Sequence, residues 1–294
     1  MKITFRRSAL YVPGDSEKML QKAARIIADV LILNLEDGVA ASRKDAAREN
    51  VAKALQGIDY GGREIVVRVN GLDTETGRND LARIIPLRPG GICLSKVEAA
   101  GDMLRAASAI QSLESAAGLP EGEIRLHAMI ESAAGVLHAA EIAGASPRMA
   151  SLIFGSADFC NDVRCRPGED RHELSLALQT IVIGARSAGI DAIDAPCFDI
   201  RNHGLLERES VQARRFGFDG KSVLHPDQLA IVNRVFDVTD EEIAWAEKVV
   251  AELDKAENRG KALTTLDGKL LDNPHRAAAE RILSRRRKGD RAPG

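Results

Sequence analysis

The chain has 294 residues, 45% of them hydrophobic, and a formal net charge of -2. That is ample for a sizeable core, in one large domain or two small ones, and the charge carries no whole-chain signature of nucleic-acid binding. No run of roughly 18 apolar residues is present to span a membrane, and the opening "MKITFRRSALYVPG" lacks the continuous apolar stretch of a secretory signal.

Aromatic residues make up only 3% of the chain, so the core must be built of aliphatic side chains and alanine, which suits helices packed on strands. The four cysteines are Cys93, Cys160, Cys165 and Cys197. Cys160 and Cys165 have no second pair to complete a zinc site, so reduced thiols in a cytoplasmic protein are expected.

In chain order, short apolar runs alternate with longer helical patterns. The strand candidates are "ALYVP" (9–13), "DVLILNLE" (29–36), "EIVVRVN" (64–70), "GICLSKV" (91–97), "RLHAMIE" (125–131), "SLIFGS" (151–156), "GIDAIDAP" (189–196) and "GKSVLHP" (220–226). Most are near-continuous apolar runs, as expected of parallel strands covered on both faces. "DSEKMLQKAARIIA" (15–28) reads as a helix capped by Asp15 or Ser16, with Met19, Leu20, Ala23, Ile26 and Ile27 on one face. "SRKDAARENVAKALQ" (42–56) starts like a capping box, with Ser42 followed by Asp45. Later helical patterns end in Gly118, Gly189 and Gly217, which suit C-terminal caps. "GRNDLARI" and "GFDGKS" read as turns.

This alternation predicts a (β/α)8 TIM barrel, with a doubly wound open sheet as the alternative. The barrel is expected to occupy residues 1–238 and a C-terminal helical and lid extension residues 239–294. In the extension, 239–260 reads as a helix with Trp245, Val249, Val250 and Leu253 on one side. Residues 261–275 read as a turn-rich excursion, and the last helix ends in the basic run Arg285, Arg286, Arg287 and Lys288.

Catalytic groups of such a barrel come from the C-terminal ends of its strands. The predicted strand ends carry Glu36 and Asp37, Arg68 and Asn70, Lys96 and Glu98, Glu131, Ser156 and Asp158, Asp194, and His225. Glu131 and Asp158 belong to neighbouring strands, so their carboxylates should lie side by side at the mouth. Their repulsion could be relieved by a shared proton, an arginine or a divalent cation. Mg2+ fits well, because it takes one or two carboxylates and completes its shell with water and substrate oxygens. Arg68 could then fork onto a substrate carboxylate. The loop "YVPGDSEKM" brings Tyr11, Pro13 and Gly14 just before a helix N-terminus that could hold phosphate, although an ordinary strand–helix turn explains it equally well. His225 reads equally as a structural hydrogen-bonder or as a ligand contact.

Taken in order, "RSALYVPGDSEKM", "LNLEDGVA", "VVRVNGLDT", "LSKVE", "AMIESAAG", "IFGSADFCNDV", "ARSAGIDAID", "GFDGKSVLHPDQL" and "LDGKLLDNPH" span nearly the whole chain. Together they resemble the citrate lyase β-subunit and malyl-CoA lyase family, the HpcH/HpaI aldolase–citrate lyase-like proteins. The resemblance implies Mg2+ held by Glu131 and Asp158, a substrate-binding Arg68, and Glu36 and Asp37 orienting that arginine and the metal's waters. It implies a coenzyme A thioester and an α-keto acid as reactants, with Tyr11, Pro13 and Gly14 as coenzyme A contacts. It also implies a homotrimer or hexamer in which a lid carries Asp272 into a neighbouring subunit's site as an acid or base. An acyl carrier protein is a further candidate partner; nucleic acid and membrane are not.

The implied reaction is reversible carbon–carbon cleavage of a 3-hydroxyacyl thioester. Its rivals are a citrate lyase subunit acting on a carrier-bound thioester, a malyl-CoA-type thioesterase, a keto-acid aldolase that does not use coenzyme A, and a non-catalytic barrel that binds coenzyme A or RNA. The sequence departs from the family pattern at Asn34 (aspartate is common), Ser95 and Gly71 (proline is frequent) and in "DAPCFDI" (194–200).

Overall fold

The computed structural model describes residues 5–255 and 263–285. Two compact units divide at Phe236 and Asp237. The first contains β1 (Ser8–Pro13), α1 (Glu17–Ala23), β2 (Val30–Asn34), α2 (Lys44–Gly57), β3 (Glu64–Val69), α3 (Glu75–Ile84), β4 (Gly91–Leu94) and α4 (Ala100–Ala116). It continues with β5 (Arg125–Ile130), α5 (Ala133–Leu137), α6 (Ala139–Ala143), β6 (Met149–Phe154), α7 (Ser156–Val163), α8 (Ser175–Ser187), β7 (Asp191–Asp194), α9 (His203–Phe216), β8 (Gly220–Val223) and α10 (Leu229–Phe236). The eight strands form a closed barrel in sequence order, each parallel to its neighbours, with β8 pairing back onto β1. The doubly wound alternative is excluded.

The strands are apolar on both faces because each face meets a different core. Ala9, Val30, Ile32, Val66, Cys93, Met129, Ile153 and Ile193 fill the barrel, with Tyr11 packed on them. Leu10, Val12, Leu31, Leu33, Val67, Ile92, Ala128 and Leu152 join the larger core shared with the helices. Alternate side chains therefore point in and out, as the strand repeat of two requires.

Several local expectations are corrected. α1 ends at Ala23 rather than reaching residue 28, because Arg63 donates to the carbonyls of Ala23, Ala24 and Ile26 and takes over the helix end. Ser16 is its cap; Leu20 and Ala23 are buried, but Met19 and Ile27 are exposed. Ser42 caps nothing: it sits in a 3-10 turn, and α2 starts at Lys44 without a side-chain cap while Asp45 pairs with Arg48. "GRNDLARI" is largely helix α3, whose cap Thr74 accepts the Gly77 N–H. The glycines at 118, 189 and 217 do adopt positive φ just after their helices.

The second unit contains α11 (Asp240–Asp254), an antiparallel hairpin of β9 (Thr264–Leu266) and β10 (Lys269–Leu271), and α12 (Asn273–Ser284). Ala246, Val249, Leu271 and Ala279 form its small core. Trp245 is 37% exposed and lies outside that core. The basic residues 286–288 lie outside the described residues, as do residues 256–262.

Candidate active site

The inward-facing repeat runs past the strand ends and builds the mouth. Continuing from Ile32, Val66, Cys93, Met129 and Ile153 by two residues gives Asn34, Arg68, Ser95, Glu131 and Gly155. β2 stops at Asn34 and β4 at Leu94, so Glu36 and Lys96 stand on loops rather than in strands.

Asn34 folds the first of these loops. Its side-chain oxygen accepts the Glu36 N–H at 3.1 Å, and its amide nitrogen donates to the Asp37 carbonyl. An aspartate there could accept but, when ionised, could not donate, so this departure from the family pattern carries a bond of its own. Lys44 Nζ donates to the carbonyls of Leu35 and Glu36 and ties down the same loop. From the next strand, Asn70 donates to the Leu35 carbonyl at 2.9 Å and to buried Asp80 at 2.6 Å.

Arg68 is the central cation. Its Nη2 lies 2.6 Å from Glu36 Oε2 and 3.6 Å from Asp37 Oδ2, its Nε donates to Ser95 Oγ at 2.7 Å, and its guanidinium carbon is 5.9 Å from the centre of the Tyr11 ring. Lys96 adopts a left-handed backbone, φ 55°, that aims its N–H at Glu131 Oε1, 2.7 Å away. Its ammonium lies 3.7 Å from both Glu36 and Asp37.

Glu131 is 3% exposed. Burial pushes its carboxyl up to about 7; Arg68 and the Lys96 N–H oppose this, and the neighbouring acids Asp158 and Glu36 reinforce it. The backbone at Gly155 packs directly on this side chain. A Cβ there would lie 2.5 Å from Glu131 Oε2, so only glycine lets the two approach. Asp158 follows in the first turn of α7.

A cavity of about 660 Å3 opens over these groups, lined by Arg68, Asp37, Glu131 and Asp158 together with Tyr11 and Pro13. Glu36 is not in its wall but sits buried behind it, against Arg68. Met19, Lys22, Ala23 and Ile26 add one face of α1 to the wall, and Phe198 and His225 add the later loops. Among the described residues no set of three or more His, Cys, Asp or Glu side chains is arranged to hold a metal. The pair Glu131 and Asp158 nevertheless fits Mg2+, which needs only one or two protein carboxylates and prefers hard oxygen donors. Asp158 and Glu36 push the buried Glu131 carboxyl up, so a further positive charge beside Glu131 is favoured.

Other expected residues fall elsewhere. Gly14 is outside the cavity wall: it is wedged where a Cβ would meet the Asn34 carbonyl at 2.6 Å. Asp194 follows inward-facing Ile193, so it points outward and is fully buried with Arg171, Lys221 and Glu209 rather than standing at the mouth. Glu98 instead gives its N–H to the start of α4 through Asp102. His225 both lines the cavity and accepts the Asp227 N–H in a local cap. Asp272 belongs to the second unit, where it caps α12, and its carboxylate is 2.5 Å from His275 Nδ1. Sequence reasoning did not single out Ser95, Met129, Phe154 or Phe198 as site residues. The repeat of two inside the strands would have found Ser95 and Met129.

A closed parallel barrel with an acidic mouth is an enzyme scaffold, and the comparisons give its lineage. The family model for HpcH/HpaI aldolase/citrate lyase matches residues 7–226, and that for C-C bond lyases of the TIM-barrel fold matches residues 169–288. Citrate lyase subunit beta of Leuconostoc mesenteroides subsp. cremoris is 37% identical over 95% of this chain and 92% of its own length. A (3S)-malyl-CoA thioesterase of Cereibacter sphaeroides is also 37% identical, over 95% of this chain and 94% of its own. Among solved structures, the protein CitE of Mycobacterium tuberculosis in complex with magnesium, acetoacetate and coenzyme A superposes with a TM-score of 0.77 at 28% identity, covering 97% of this chain and 99% of that one. The chain belongs to the HpcH/HpaI aldolase/citrate lyase family.

Proposed function

We propose that this chain is a Mg2+-dependent carbon–carbon lyase. It cleaves, or in reverse condenses, a 3-hydroxyacyl coenzyme A thioester of the malyl, citramalyl or citryl kind to an acyl-CoA and an α-keto acid. The observation that carries the reading is the carboxylate pair Glu131 and Asp158 beside Arg68 in one cavity, with the buried Glu131 carboxyl pushed up by its acidic neighbours as well as by burial.

Glu131 and Asp158 would hold the metal. Bound there, Mg2+ supplies Lewis-acid stabilisation of negative charge on the substrate's carboxylate and hydroxyl oxygens. Arg68 presents its Nη1 edge to the same oxygens, while Glu36 and Asp37 fix its other edge. Loss of the 3-hydroxyl proton breaks the carbon–carbon bond. The electron pair passes to the thioester enolate, which is reprotonated to the acyl-CoA. Tyr11 and Pro13 are proposed coenzyme A contacts; Gly14 would contribute only by shaping that loop.

Asp272 from a neighbouring copy is the proposed acid or base, in a homotrimer or hexamer. Its carboxylate is engaged by His275, which lowers its pKa, so this role requires that bond to open. A cytoplasmic location belongs to the same reading, supported by four free cysteines. The likeness to a (3S)-malyl-CoA thioesterase supports a second outcome, hydrolysis of the thioester, and the likeness to citrate lyase subunits supports a carrier-bound thioester.

The test is to incubate purified protein and Mg2+ with malyl-, citramalyl- and citryl-CoA, scoring keto acid and free thiol separately, with EDTA as control. Keto acid without thiol, lost in EDTA, is the expected result. Free thiol released without keto acid would establish the thioesterase outcome. Absence of both products across the panel would rule out a stand-alone coenzyme A ester lyase for these substrates.

A further inference from the structure

Arg68 is held at three points. Glu36 takes Nη2 at 2.6 Å, the Tyr11 ring stands 5.9 Å from the guanidinium carbon, and Ser95 Oγ accepts Nε at 2.7 Å. Glu36 alone would fix one corner and leave the planar group free to swing about that contact. The Tyr11 face is broad and fixes the tilt of the plane rather than its rotation within it. Ser95 supplies the missing constraint, because it binds the nitrogen on the opposite side of the group from Nη1. Among the described residues Nη1 has no hydrogen-bonding partner, although Arg68 is 7% exposed and lines the cavity. Its two N–H bonds are thus kept for a ligand.

Ser95 can do this because of its place in the chain. It is the first residue after β4, two along from Cys93 in the barrel core, so its side chain continues the inward-facing row. The only other side-chain partner of its hydroxyl among the described residues is Met129 Sδ at 3.8 Å, a weak acceptor. The oxygen is therefore committed to Arg68.

We propose that Ser95 is a positioning residue for substrate recognition. Its hydroxyl sets the rotation of the Arg68 guanidinium, and with it the affinity for the carboxylate of the α-keto acid. This rests on the reading of Arg68 as the substrate-binding arginine. Without the hydroxyl, Nε–H loses its acceptor in a buried setting and the guanidinium turns to seek another. Threonine keeps an oxygen at the same branch point and should preserve the arrangement.

The experiment titrates Mg2+-loaded protein with pyruvate by calorimetry and measures KM and kcat in the condensation direction. Ser95→Ala should weaken pyruvate binding about tenfold, a loss of one bond to a charged group, and raise KM while kcat stays within about threefold. Ser95→Thr should bind pyruvate within about twofold of the parent, and neither variant should change Mg2+ affinity. Arg68→Lys serves as the reference. If Arg68→Lys loses pyruvate binding but Ser95→Ala binds like the parent, the inference is overturned and the role of Arg68 stands. If Arg68→Lys itself binds pyruvate normally, the role of Arg68 fails and takes this inference with it. Equal losses in Ser95→Ala and Ser95→Thr would also overturn it, because the effect would then not belong to the hydroxyl.

Discussion

The two ends of the barrel are both lined with charge, and they treat it in opposite ways. At the floor, Arg6 donates to both oxygens of Glu64, at 2.5 and 2.8 Å, and to Asp191 at 2.6 Å. Burial alone would raise the Glu64 pKa, yet Arg6 and its neighbours hold it below the ordinary value. At the mouth, Arg68 and Lys96 lie against Glu36 and Asp37, while buried Glu131 accepts a backbone N–H and is pushed up to about 7. The same residue types thus give a carboxylate with both oxygens engaged by an arginine at one end, and at the other a buried carboxylate held by a backbone N–H under a cavity. The division follows the usual barrel pattern, with stability at the bottom and chemistry at the top.

The comparison breaks most sharply at the mouth. Glu131→Gln or Asp158→Asn should cut Mg2+-dependent turnover by about a thousandfold or more, the scale of several kcal/mol lost with a Lewis acid. Urea unfolding of the metal-free protein should change little. Full activity in either variant would remove these residues from the metal site. At the floor the pattern inverts. Glu64→Ala removes two of the charged hydrogen bonds of Arg6 and leaves it Asp191, in a site where its side chain is 13% exposed, and should cost about 3 kcal/mol or more of stability. Mg2+ affinity measured on the folded variant at low temperature should be unchanged. A loss of metal binding without a loss of stability would mean the two ends are not independent.

Much of this was legible in the sequence. The eight apolar runs located the strands because both faces of each are buried, and the acids that follow runs five and six do stand at one cavity. What failed was the assumption that any polar residue near a strand end faces the mouth. Arg68 and Glu131 are in step with the inward row, whereas Asp194 is out of step by one and joins Arg171 and Lys221 beneath the helices. A one-residue shift flips a side chain to the other face. Arg171 and Lys221 were not anticipated, because a lone arginine in a loop carries no sequence sign of a buried partner. α3 was missed because Gly77 and Asn79 mark a turn by composition, while the Thr74 cap and the buried Leu81 and Ile84 make a helix.

The smallest of these effects sharpens the contrast within the floor itself. His127 is buried beside Glu64, 3.7 Å from its carboxylate, with Nδ1 on Ser151 Oγ at 2.8 Å and Nε2 unpaired. A carboxylate should raise an imidazole pKa, yet this one is pushed down to about 4. Burial dominates, and Arg6 and Arg125 add to it against Glu64. Both Glu64 oxygens are already engaged by Arg6, so its pull on the imidazole does not offset the burial. The unfolded imidazole titrates near 6.5. As pH falls below that value, the unfolded chain takes up a proton that the folded chain refuses. Stability should therefore be full above about pH 6.5, fall by about 3 kcal/mol as pH drops to about 4, and gain no further loss from this group below that. Urea unfolding of the parent and of His127→Asn across this range isolates His127 together with its effect on Glu64, since carboxylates away from this pair titrate alike in both. The difference between the two curves should carry the whole slope; parallel curves would mean that His127 is already charged in the folded floor, with Glu64 as its partner.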